Sequence, residues 1–368
     1  MTSVAIVHDY LTQRGGAERV VLAMAEAFPD APVYTAVYDP DATFPEFAAC
    51  DVRLLWTDRV PGLRADHRRG LPLYPLAFSR TVIDAEVTLC SSSGFAHGVR
   101  ATGTKVVYCH TPARWLYDEA DLYLATWPVP VRLATRVAGG PLRRWDRRAA
   151  RSADVTLANS TVVRERIARH YGITAEVLPP PVVIDTDGPQ TPVPGLAPGF
   201  LLVVGRLLAY KHVDAVVAAA ARMREVDFVV VGDGPERDRI AAAAGANVHL
   251  LGTRPDAELR WCYAHCAGVV SASHEDFGLT PVEGTAFGKP AAVLRRGGFL
   301  DTVVDGRTGV FFDALEPAAV AASCRVLLDR DWDTDALRAH AARYSNSAFV
   351  DGLRRVTDAD VASVARAP

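Results

Sequence analysis

Two carboxylates eight residues apart, Glu275 and Glu283, flank a glycine turn in the run Glu275-Asp276-Phe277-Gly278-Leu279-Thr280-Pro281-Val282-Glu283-Gly284. The turn reads as the entry to a helix, so the loop carboxylate and the helix carboxylate can face one cleft. The amides of Phe277, Gly278 and Leu279 then form an edge suited to an anion or a hydroxyl. A carboxylate accepts two hydrogen bonds at once, which suits neighbouring hydroxyls on a sugar. Ordinary acidity at a helix N-terminus is the alternative reading of the same pair. Gly284 inside the helix costs about 1 kcal/mol relative to alanine, and the expected return is room beside it for a ligand.

A second set of charges lies upstream. Arg206 follows Val203-Val204-Gly205, and Lys211 comes five residues later at the expected start of a helix. A guanidinium fork and an ammonium point charge can hold a pyrophosphate between them, each charge-assisted bond contributing roughly 1.5–3 kcal/mol. Cations at a helix start run against the helix dipole, so a nearby anion explains them better than chance surface placement. The turn Val231-Gly232-Asp233-Gly234-Pro235 carries proline near a helix start, and its role is structural first, with ligand contact secondary. Near the N-terminus, Gln13-Arg14-Gly15-Gly16-Ala17-Glu18 joins a strand to a helix. Its paired glycines let backbone approach an anion at the helix N-terminus. The G-x-G-x-x-G spacing of dinucleotide binders is missing, and a tight turn without ligand fits the same residues.

These loops need strands to hold them. Short apolar runs at Val4–His8, Val33–Tyr38, Val87–Ser91, Lys105–Cys109, Val155–Ala158 and Ala175–Leu178 alternate with helix-length segments. After a break the pattern resumes at Gly199–Val204, Asp227–Val231, Val248–Leu251, Gly268–Ser271 and Ala291–Leu294. Continuous apolar strands alternating with helices predict parallel sheets covered on both faces. The break, Pro179-Pro180-Pro181 and the proline- and glycine-containing stretch beyond it, suits neither a central strand nor a helix. The pattern therefore predicts an α/β chain of two Rossmann-like doubly wound domains. The first spans 1–184 and is completed by a C-terminal helix within 345–368; a linker covers 185–198; the second domain spans 199–344. Ligands of such domains bind where strand C-termini face the cleft.

Composition narrows the function. Of 368 residues, 49% are hydrophobic and 23% charged, as in a globular protein rather than a disordered one. A net charge of −3 gives no electrostatic case for nucleic acid as partner. The six cysteines are scattered; Cys262 and Cys266 share a helical face but have no second ligand pair, so buried free thiols are expected rather than zinc. No charged leader precedes the first strand and no run of eighteen apolar residues occurs, which predicts a cytoplasmic protein. Arginines interleaved with apolar residues at Arg59–Arg69 and Arg132–Arg151 read either as solvated faces or as a peripheral contact with the inner membrane face.

The Glu275/Glu283 pair, Gly205-Arg206 with Lys211, and the Gly232–Pro235 turn together resemble family 4 of the GT-B retaining glycosyltransferases. His8-Asp9-Tyr10-Leu11, the Gly15–Glu18 turn, Ser91-Ser92-Ser93-Gly94-Phe95-Ala96-His97-Gly98 and Cys109-His110-Thr111-Pro112 are similar to a mannosyltransferase-like branch of it. The matching motifs run from residue 8 to about residue 313, in the family's order. The resemblance implies a GT-B fold and transfer of a hexosyl unit, GDP-mannose being the first choice of donor and a UDP-sugar the alternative. It assigns the ribose hydroxyls to Glu283, the donor sugar to Glu275 with the amides around Phe277, Gly278 and Leu279, and the diphosphate to Arg206 and Lys211. Gly15 and Gly16 would approach the transferring sugar and phosphate, and His110 would face the sugar or the charge developing at its anomeric carbon. Gly205 and Gly232 would line the donor pocket, and Thr253 and Arg254 would read the nucleobase, mainly through backbone. Ser93, His97 and Arg114 would lie on the acceptor side, the acceptor being a glycan, a lipid-linked sugar or a small-molecule glycoside. Neither a cofactor nor a metal is implied. A sugar-nucleotide epimerase or a glycan phosphorylase of the same architecture is the competing class; the carboxylate pair argues against the first and the lack of a pyridoxal-phosphate lysine pattern against the second.

Overall fold

A computed structural model describes residues 2–118, 120, 129–182 and 184–364. The chain divides into two units, Met1–Pro181 with Asn346–Pro368, and Val182–Ser345.

In the first unit the strands are β1 (Val4–His8), β2 (Val33–Thr35), β3 (Val52–Leu54), β4 (Val82–Ile83), β5 (Val87–Ser92), β6 (Arg100–Ala101), β7 (Thr104–Cys109), β8 (Val155–Ala158) and β9 (Glu176–Val177). Seven of them form one sheet in the order β3-β2-β1-β5-β7-β8-β9, and every pairing is parallel. All residues of β5 and β7 are buried, because helices cover both faces of the sheet. Alternation along β1 shows the two layers: Ile6 packs with Val20, Val21 and Met24 of the helix Gly16–Ala27, while Val7 packs with Tyr74 and Phe78. Burying each such side chain contributes about 1.5–3 kcal/mol. Phe349 and Leu353 of the C-terminal helix Asn346–Val364 complete the Ile6 layer; this helix falls within the expected segment 345–368, of which residues 365–368 lie outside the described residues.

The second unit contains β10 (Leu201–Val204), β11 (Phe228–Val231), β12 (Val248–Gly252), β13 (Gly268–Ser271), β14 (Ala291–Leu294) and β15 (Gly309–Phe312), ordered β12-β11-β10-β13-β14-β15 and all parallel. Both units are thus Rossmann-like.

Three local expectations need correction. The strand expected over Val33–Tyr38 stops at Thr35, because the next residues bond to the chain leaving β1: Leu11 N donates to Val37 O at 2.8 Å. Residues 185–198, expected as an interdomain linker, group with the second unit. Val193 is buried there, Thr191 N donates to Ala257 O at 3.0 Å and Arg260 Nε to Pro189 O at 2.9 Å. Proline removes donors, yet the Thr191 amide and the Pro189 carbonyl still find partners on the helix Asp256–His265. Gly284 does not open space for a ligand. It is buried against β13, and a Cβ there would lie 2.7 Å from Val269 Cγ2.

Candidate functional site

In open parallel sheets ligands bind beyond the carboxyl ends of the strands, where the strand order reverses. In the second unit that point lies between β10 and β13. The loop after β10 carries Gly205, the exposed Arg206 and Lys211, and the loop after β13 carries Glu275. The two loops meet: Lys211 Nζ donates to Glu275 Oε1 in an ion pair whose side chains are each about a fifth exposed. Three residues connect Glu275 to the helix Leu279–Ala286, which is entered through Gly278 at φ 93°, a conformation that favours glycine. Glu283 sits on that helix, half-buried.

Two supports of these carboxylates are not visible in the motifs. Tyr263, fully buried on the helix Asp256–His265, donates its hydroxyl to Glu283 Oε2 at 2.5 Å. Burial first, then the Glu283 charge, hold this phenol well above its ordinary pKa, so it stays protonated and remains a donor. Its ring is stacked on Phe287, centroids 5.5 Å apart and planes 7° from parallel. The second support is the Gly-Gly pair after β14: Gly298 N donates to Glu275 O at 2.9 Å and braces the acidic loop. A Gly-Gly pair two residues beyond the end of β14 is the available signal; Tyr263 offers none.

The other expected donor contacts divide by what they touch. Gly232, at φ 137°, lies against the Gly205 carbonyl, so the loops after β10 and β11 pack backbone to backbone where no side chain fits. Thr253 is exposed at the end of β12. Arg254 is anchored locally, Nε donating to Leu251 O at 3.0 Å and Nη1 approaching Glu258 Oε2 at 3.4 Å. Phe277 is buried against Tyr344, ring centroids 5.6 Å apart, which fixes the backbone of the loop. Leu279 is the first residue of the Glu283 helix.

In the first unit the strand order reverses between β1 and β5, and a buried polar cluster joins the loops beyond them. The Asp9 carboxylate accepts from Ser93 N at 2.7 Å, Phe95 N at 2.9 Å and Ala96 N at 2.6 Å. Gly15 is the N-cap of the helix Gly16–Ala27, and Gly16 is exposed as its first residue. His110, directly after β7, is 9% exposed, and its Nε2 lies 2.8 Å from Ser91 Oγ. Burial first and the nearby His8 second depress its pKa to about 3. His97, expected on the acceptor side, is buried, with Nδ1 2.7 Å from Ser92 Oγ and Nε2 3.0 Å from Asp146 Oδ1. Both of its nitrogens are engaged within the unit, so it supports the loop rather than reaching outward. Ser93 and Arg114 are half-buried at these strand ends. Asp9, Ser91 and Asp146 are supports that type and spacing did not reveal.

No cluster of metal-ligating side chains occurs among the described residues, and no described helix is long and apolar enough to cross a membrane. All six cysteines are free. In the first arginine-rich segment, Arg64 pairs with Asp58 and Arg69 with Asp66.

The family described as Glycosyltransferase Family 4 matches residues 14–186, and Glycosyl transferases group 1 matches residues 193–347. The chain belongs to these group 1, family 4-type glycosyltransferases. Among curated relatives, D-inositol 3-phosphate glycosyltransferase of Geodermatophilus obscurus is 32% identical over 232 residues, covering 55% of this chain and 51% of that protein. Glycogen synthase of Thermus thermophilus is 35% identical over 131 residues, 33% of this chain and 30% of that one. The matches thus span about half or less of the length of these relatives. Among solved structures, Anabaena HepE in complex with UDP and glucose has a TM-score of 0.69 at 18% identity, covering 97% of this chain and 100% of its own. Sucrose-phosphate synthase from Thermosynechococcus elongatus also has a TM-score of 0.69 at 18% identity, covering 98% and 99%. Both share the two-domain GT-B architecture.

Proposed function

We propose that this chain transfers a hexosyl unit from a nucleoside-diphosphate sugar to an acceptor hydroxyl, with retention at the anomeric carbon and without a metal. One observation carries the proposal: an ammonium and a carboxylate, Lys211 and Glu275, stand side by side at the strand reversal of the second unit. The helix entered from the same loop presents the second carboxylate, Glu283. Such a set offers a cation for a diphosphate and acceptors for hydroxyls. In this reading Arg206 and Lys211 stabilise the departing nucleoside diphosphate as its bond to the anomeric carbon breaks. Fixed charges aimed at a developing anion lower the barrier because they need no reorganisation. The new bond forms on the same face, and an oxygen of the leaving phosphate takes the acceptor's proton. Glu283 holds the ribose and Glu275 the sugar hydroxyls; within the first unit, His110 and Gly16 are the candidates for sugar contact.

For the donor, the branch motifs favour GDP-mannose, and the UDP and glucose bound to HepE make a UDP-hexose the alternative. The acceptor is a glycan, a lipid-linked sugar or a small-molecule glycoside; the inositol phosphate named for one relative belongs among the compounds to test. Donor turnover with a panel of GDP-, UDP- and ADP-hexoses is the assay. Lys211→Ala and Glu283→Ala should each abolish turnover of the accepted donor, and near-wild-type turnover by either would sink the assignment.

A further inference from the structure

The buried polar chain behind His110 has a direction that the bond partners dictate. His8 and Ser91 are registered partners on β1 and β5. His8 Nδ1 lies 3.1 Å from the Ser91 carbonyl oxygen and 3.1 Å from Ser91 Oγ. A carbonyl only accepts, so His8 Nδ1 must carry a proton. Ser91 Oγ therefore meets a donor on the His8 side, and its own hydrogen is left for His110 Nε2 at 2.8 Å. A nitrogen that accepts a hydrogen bond is unprotonated, so the proton of a neutral His110 resides on Nδ1.

The far end of the chain reinforces this direction. Glu18, on the helix Gly16–Ala27, is 1% exposed, and its Oε1 lies 3.9 Å from His8 Nε2. That gap is too long for a hydrogen bond, so the two attract as charges. Burial depresses His8, but Glu18 and Asp9 outweigh it and hold the imidazole above its ordinary pKa. A cationic His8 carries protons on both nitrogens and disfavours a second cation at His110. The other groups against His110 do not compete for Nε2: the Tyr108 ring meets it edge-on at 5.2 Å, and Asn159 Nδ2 donates to its backbone carbonyl at 2.9 Å.

We propose that Ser91, oriented by the His8–Glu18 pair behind it, is a positioning residue that fixes His110 as the neutral imidazole with its proton on Nδ1. His110 then offers a ligand a hydrogen-bond donor, matched to a lone pair on a sugar hydroxyl or phosphate oxygen. Its only unprotonated nitrogen is occupied by Ser91, so it does not act as the base for the acceptor hydroxyl. The consequence for catalysis rests on the reading of His110 given under the proposed function; the protonation state itself does not.

The test is long-range proton–nitrogen correlation NMR on the full chain labelled with 15N-histidine at pH 7, with the His110 signals assigned by their loss in His110→Gln. The wild type should show His110 protonated on Nδ1 and bare on Nε2; a proton on Nε2 overturns the proposal. Ser91→Ala should shift protonation towards Nε2 and lower kcat about tenfold to a hundredfold, with donor KM changed less than about twofold. His8→Asn places an amide donor where Nδ1–H stood, so it should preserve the Nδ1–H form of His110; a shift of His110 towards Nε2 protonation in this variant overturns the direction assigned to the chain. An unchanged His110 spectrum in Ser91→Ala also overturns the proposal. Absence of turnover by the wild type on every donor overturns the proposed function and leaves the NMR result standing.

Discussion

Tyr263→Phe isolates one atom of the proposed donor site. The substitution removes only the hydroxyl that donates to Glu283 Oε2 at 2.5 Å. The phenyl ring fills the same fully buried volume and keeps its stacking on Phe287. A hydrogen bond to a charged group contributes roughly 1.5–3 kcal/mol. Glu283 is half-buried, so water replaces part of the loss and the lower end of that range applies. About 1.5 kcal/mol corresponds to roughly a tenfold rise in Kd. Calorimetric titration with nucleoside diphosphates should show that rise if Glu283 must be oriented to hold a ribose. Inorganic pyrophosphate has no ribose, so its affinity should stay within about twofold. Nucleotide affinity equal to wild type would refute the reasoning, as would an equal loss for pyrophosphate.

Three further outcomes follow from the geometry. Gly284→Ala should destabilise the protein, because a Cβ lying 2.7 Å from Val269 Cγ2 overpacks the site at about 1–3 kcal/mol, more than the roughly 1 kcal/mol gained in helix propensity. Urea unfolding should register this with nucleotide affinity unchanged; the opposite pattern would return the glycine to a ligand role. His110, depressed to about 3 by burial and by His8, makes the unfolded chain bind more protons than the folded one between that value and about 6.5. Stability should therefore fall as pH drops through this window, and His110→Gln should show a shallower fall between pH 7 and pH 4.5; parallel slopes would contradict the depressed pKa. His8, raised by Glu18 and Asp9 against burial, works in the other direction. Its contribution is full below the unfolded pKa and is lost as pH rises through the folded value, so Glu18→Gln should cost less stability at high pH than at low.

The parallel sheets were legible because strands buried on both faces appear as unbroken apolar runs, and β8, β13 and β14 match their expected bounds. Loops at strand ends followed from the same reading, and the structure brings Lys211 to Glu275 across the strand reversal. What the sequence hid is pairing between distant buried polar groups. The His8–Ser91 contact depends on the β1–β5 register, and the Tyr263–Glu283 bond on how two helices lie over β13; neither leaves a local pattern. Arg254 and His97 show the reverse effect. The Arg254 side chain, on a segment expected to act mainly through backbone, is held by the Leu251 carbonyl and Glu258, and the His97 imidazole by Ser92 and Asp146. A charged or imidazole side chain near folded backbone satisfies itself locally before it is available to a ligand.

Equilibrium binding of GDP, UDP and ADP to the wild type and to Lys211→Ala tests the proposed donor site most directly. The account predicts that at least one of the three binds. Loss of the ammonium should weaken that nucleotide by more than about tenfold, the equivalent of one charge-assisted bond of roughly 1.5–3 kcal/mol. No binding by any of the three, or equal affinity in Lys211→Ala, would contradict the assignment of the second unit to a nucleoside-diphosphate sugar.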